Sequence, residues 1–121
     1  MKPVFAALLL LFLGACAGVE RRSRAQLVGH WRYADRQQSC DYAFERNGSF
    51  TGEVKFRTKV VSRFNGRWSL RGSALLYTYL SDAFGRIPPG TTDRDQILEI
   101  KERSFVIQAA NGEQRRYHRV R

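Results

Sequence analysis

The side chains able to do covalent or metal chemistry are few: two cysteines, two histidines and eleven carboxylates in 121 residues. His30 and His118 stand alone as imidazole ligands, and a closed zinc site needs four donors. Two histidines packed or solvated on separate segments is the simpler reading, and no metal or other cofactor is expected. No Gly-x-Ser-x-Gly elbow, His-Glu-x-x-His pair or glycine-rich phosphate loop occurs. Asp93, Asp95 and Glu99 could supply a carboxylate pair for acid–base work, but in so polar a stretch they read as a solvated rim. No catalytic residue is assigned, and the chain is not expected to be an enzyme.

Cys16 is different because of what precedes it. Met1-Lys2 gives a basic start, and Val4 to Leu13 is an unbroken apolar run of ten residues. Such a run spans only ~15 Å as a helix, too short to cross a bilayer core, so it reads as the apolar region of a signal peptide. It ends in Leu13-Gly14-Ala15-Cys16, which resembles the lipobox of bacterial lipoproteins. The resemblance implies cleavage after Ala15, lipid transfer to the Cys16 thiol and acylation of the new amino terminus. The other reading is an ordinary secretory signal with a chance cysteine. Ala17 implies sorting to the outer membrane, facing the periplasm. Residues 16–26 then form a lipidated polar tether ahead of a domain at 27–121. With Cys16 lipidated, Cys40 has no partner within the chain and is either buried or paired with another molecule.

Seventeen arginines against four lysines give most of a formal charge of +10. Guanidinium forks suit carboxylates and phosphates. Export argues against nucleic acid, which leaves an acidic envelope protein or anionic lipid as the partner of a basic face. Lys55, Arg57, Arg63, Arg67 and Arg71 would form one contiguous outer stripe. Solvated arginines with no partner at all are the alternative.

Positioning any of these residues falls to strands. At 43% hydrophobic the chain can build a core, and no long segment repeats with a 3.6-residue period. Short aromatic and β-branched runs predict eight strands: 27–34, 41–46, 49–57, 62–71, 74–81, 96–102, 105–109 and 114–120. Asn47-Gly48 and Asn111-Gly112 predict tight turns. Asn65-Gly66 reads either as another hairpin turn or, in preference, as a bulge ahead of Trp68 with the turn near 58–61. Phe50, Val54 and Phe56 alternate with Glu53, Lys55 and Arg57; Phe64, Trp68 and Leu70 alternate with Arg63, Arg67 and Arg71. One face is therefore core and the other wet. An all-β, antiparallel up-and-down barrel of about eight strands removes the exposed edges.

Gly29-His30-Trp31 resembles the Gly-x-Trp opening of lipocalin-like barrels, and Phe44–Phe50 and Gly66–Leu70 resemble small bacterial members. The resemblance implies that an arginine of the closing strand, Arg116 or Arg119, stacks over Trp31, with Gly29, Trp31 and Trp68 structural. It also implies a small apolar or amphiphilic ligand at the barrel mouth. Tyr77, Tyr79, Phe84 and Ile87 are the candidate contacts, the last two within the long loop 82–94. That loop either folds over the open end as a lid or plugs the barrel with Phe84 and Ile87.

Overall fold

The computed structural model describes residues 21–121; the expected signal segment and Cys16 lie outside them. The alternation read from the sequence becomes eight strands: β1 (Gly29–Ala34), β2 (Gln38–Phe44), β3 (Ser49–Phe56), β4 (Lys59–Arg71), β5 (Ala74–Asp82), β6 (Thr92–Ile100), β7 (Ser104–Ala109) and β8 (Gln114–Arg119). Every neighbour pair is antiparallel, and the sheet closes as a barrel in strand order 1 to 8. Closure of β8 onto β1 runs through Trp31↔Arg119 and Arg32↔His118.

The turns explain the registers. Asn47-Gly48 and Asn111-Gly112 connect β2–β3 and β7–β8, with Gly48 and Gly112 at φ 90° and 89°. Between β3 and β4, Arg57 and Thr58 both take positive φ, 50° and 72°, so Phe56 pairs directly with Lys59. That two-residue turn falls earlier than the expected 58–61, and β4 starts at Lys59 instead of Ser62. The bulge at Asn65/Gly66 is present in the β4–β5 ladder. A Cβ on Gly66 would come within 2.1 Å of the Thr78 carbonyl oxygen, which is why this position holds glycine.

Two other strands begin earlier than expected. Asp35 accepts hydrogen bonds from the backbone N–H groups of Gln37 and Gln38, which starts β2 at Gln38. Strand β6 starts at Thr92, so the segment Thr-Asp-Arg-Asp belongs to the barrel wall and not to the loop. Residues 21–26, expected to lie in a polar tether, and Leu27, expected to open the first strand, form a short helix instead. Its last residue, Leu27, is fully buried and its carbonyl accepts the Trp31 indole N–H at 2.8 Å.

The barrel interior is filled. Trp31, Phe44, Phe50, Phe105, Leu75 and Ile107 are fully buried. Trp31 meets Phe105 edge-on at 4.7 Å, Phe105 stacks on Tyr117 at 4.8 Å, and Phe44 meets Trp68 at 5.2 Å. One end of the barrel is covered by the helix and carries the turns at 45–48, 72–73 and 101–103. The other end carries the connections at 35–37, 57–58, 83–91 and 110–113.

Candidate ligand site

The covered end is sealed by Arg119. Its guanidinium carbon lies 4.1 Å from the Trp31 ring centroid. Nε donates to the Glu102 carbonyl, and the two Nη groups donate to the carbonyls of Val28 and Gln26. Gly29 sits at φ +138°, and a Cβ there would come within 2.4 Å of Arg119 Nη1. Of the two arginines implied for this stacking, Arg119 makes it because the register places it opposite Trp31. Arg116 faces outward toward Ser104 and Glu99. A second arginine from the helix, Arg24, stacks over Trp68 at 4.4 Å and donates to the Arg46 carbonyl.

The opposite end keeps a cavity of about 250 Å³ lined by Tyr42, Tyr77, Tyr79, Tyr117, Asp93, Asp95, Asn111 and Arg115. Strand alternation builds it: Tyr77 and Tyr79 share one side of β5, and Asp93 and Asp95 share one side of β6. Leu75↔Asp95 and Tyr77↔Asp93 are cross-strand neighbours. Arg115 and Tyr117 share the inner side of β8.

The polar groups of this mouth satisfy one another. The Tyr77 hydroxyl donates to the Asp95 carboxylate, and Arg115 donates to the Tyr117 hydroxyl oxygen. Arg115 also grips Glu113 through Nε and Nη2, at 3.3 and 3.2 Å. Asp95 is only 9% exposed. Burial, helped by the nearby Asp93 charge, pushes its carboxyl above the ordinary carboxylate range, while the Tyr77 hydroxyl and Arg115 pull it back. Burial also pushes the Tyr77 and Tyr42 hydroxyls well above a normal tyrosine, and Tyr79 up to about 12. All four phenols therefore stay neutral at physiological pH and keep their protons for donation.

Tyr77 and Tyr79 thus line the mouth, but Phe84 and Ile87 do not. Phe84 is 50% exposed, and Ile87 is partly buried against the core. The start of the loop is tied down by Asp82, whose carboxylate accepts from the Ser62 hydroxyl and from the N–H groups of Arg63, Phe84, Arg86 and Ile87. Tyr42, Asp93, Asp95, Arg115 and Tyr117 were not among the expected mouth contacts. Their signal was strand parity: Arg115 and Tyr117 share one side of a segment dominated by charge.

The expected basic stripe is interrupted. Glu53 pairs with Arg63 at 3.0 Å and lies 3.7 Å from Lys55, so two of the five cations are already countered. Arg57 sits in the β3–β4 turn beside the exposed Phe56 ring. Arg67 and Arg71 are exposed on β4 and form no ion pair among the described residues. A shallow outer trough of about 780 Å³ crosses β1 to β5, walled by the Arg32–Asp41 and Arg63–Glu53 pairs. Cys40 is a buried free thiol whose pKa burial raises, as befits a small core residue and not a nucleophile. Among the described residues, no three histidine, cysteine or carboxylate side chains come together to hold a metal ion.

No protein-family model matches the chain, and no curated protein matches it in sequence. The structure is similar to the crystal structure of a lipocalin-like protein from Bacteroides uniformis ATCC 8492, with a TM-score of 0.58 at 18% identity. The match covers 78% of this chain and 98% of that one. The fold is accordingly a lipocalin-like, closed eight-stranded antiparallel barrel.

Proposed function

We propose that the chain is a non-catalytic lipoprotein, anchored through Cys16 in the outer membrane and facing the periplasm, whose barrel mouth binds a small ligand. The observation that supports ligand binding is the cavity of about 250 Å³ among four tyrosines above an otherwise filled interior. That volume is below the ~300–1,000 Å³ of drug-sized sites, so the ligand is compact. The aromatic core leaves no channel for a long acyl tail, which narrows the expected amphiphile to a short molecule with polar contacts. A saturation-transfer screen of small molecules on wild type and on Ala109→Leu tests this, because Ala109 lines the cavity. Hits on wild type that vanish in the filled variant support the reading; hits that persist unchanged refute it.

The anchor rests on the Leu-Gly-Ala-Cys motif and the short apolar run before it. Labelled fatty acid should enter wild type and not Cys16→Ala, and equal labelling would remove the lipoprotein assignment. A second reading, a docking face for an acidic envelope protein or anionic lipid, is favoured by the exposed Arg67 and Arg71 on β4.

A further inference from the structure

We infer that the mouth takes a small organic cation, an amine or quaternary ammonium compound of a few carbons, held by the Asp95 and Asp93 carboxylates among the tyrosine hydroxyls. The inference rests on the reading of the mouth as a ligand site and names the chemistry of what enters it.

Charge is the first argument. Asp95 is nearly buried, and its hydrogen-bond partner, Tyr77, is neutral. Arg115 is the cation nearest at hand, but it grips Glu113 and the Tyr117 hydroxyl, and it acts on Asp95 only through space. Among the described residues, neither Asp95 nor Asp93 belongs to an ion pair. A buried carboxylate without a counter-ion is costly, and a bound cation is the species that removes that cost. An anion would meet two carboxylates, and a neutral polyol would leave the charge of Asp95 uncompensated.

The walls give the second argument. Tyr42 lies 6.2 Å from Tyr77 and 5.7 Å from Tyr117 between ring centroids, and Tyr77 lies 6.4 Å from Tyr79. The rings pack on one another at those distances, so their hydroxyl oxygens, which accept from ammonium N–H groups, are what face the cavity beside the carboxylates. The cavity has room for roughly eight waters at ~30 Å³ each, enough for a trimethylammonium or butylammonium group and little more. The pairing of carboxylates and neutral hydroxyls is local. The rest of the molecule carries a strong positive excess, so surface charge does not account for it.

Calorimetry on the full chain tests the inference with two matched pairs: choline against 3,3-dimethylbutan-1-ol, and butylamine against butan-1-ol. The members of each pair have nearly the same shape and differ in charge. At least one cation should bind saturably, about tenfold or more tighter than its neutral partner, as expected for a charge-assisted contact with a carboxylate. Asp95→Asn, with folding checked by near-UV circular dichroism, should erase that preference and leave alcohol binding unchanged. Tyr77→Phe, which keeps the ring, should weaken the cation less than Asp95→Asn. Equal binding of cation and alcohol, or a preference untouched by Asp95→Asn, overturns the cation assignment while the mouth stands as a site. Absence of any binding, with no hits sensitive to Ala109→Leu, overturns both.

Discussion

Arg119 holds three carbonyl oxygens from two segments while stacking over Trp31. Only a planar fork with several fixed donors does this, so lysine is no substitute. Trp31 is 0% exposed, and Trp31→Ala should cost about 3–5 kcal/mol in chemical unfolding. A change below ~1 kcal/mol would mean that the covered end is not a structural seal. Asp95 makes a separate prediction in pH. Its folded pKa is raised above the ordinary 3.8 of an unfolded aspartate, so the folded chain binds this proton more tightly than the unfolded chain. Asp95 therefore costs stability as pH rises through that interval, and the cost is absent below it. Asp95→Asn should stabilise the protein more, relative to wild type, at pH 7 than at pH 3. Thermal unfolding at both values reads the difference; an identical offset at the two pH values would place the carboxylate in solvent.

At the scale of elements, the strands and both Asn-Gly turns were legible because alternation and positive-φ residues act over a few neighbouring positions. The Trp31 clamp was half legible: the family resemblance implied Arg116 or Arg119, and only the β1–β8 register chooses between them. The helix at 21–27 was hidden because two turns are too short to display a period, and its stability comes from Leu27 and Arg24 docking onto the barrel. The start of β6 was hidden because aspartate is a poor strand former, and Asp93 and Asp95 face inward for reasons of the mouth. Strand β4 carries the test of the docking reading. Changing Arg63, Arg67 and Arg71 together to Gln should leave the melting temperature nearly unchanged, since exposed charges contribute little. Binding to anionic vesicles should fall, with a loss that shrinks as salt screens contacts over ~8–10 Å. Because Glu53 already counters Arg63, reverting that position alone should restore little of the binding. Equal vesicle binding by wild type and the triple variant at low salt would reduce this face to ordinary solvated surface.

As a whole, the molecule is a strongly basic shell around an aromatic interior, sealed by the helix and Arg119 at one end and opening on carboxylates and phenols at the other. A small polar mouth, set on strand ends, lies above the packed core. Among the described residues no helix is long and apolar enough to cross a membrane. The claim at the centre of this account is that ligands enter at the mouth and nowhere else. Amide chemical-shift mapping during titration with the strongest binder from the small-molecule screen tests it most directly. Perturbations should cluster on Asp93, Asp95, Asn111 and Arg115 and on the neighbours of Tyr77 and Tyr79. Perturbations centred on Leu27, Arg119 and the Trp31 and Trp68 indoles, or along the outer trough at His30, Thr51 and Arg63, would contradict it.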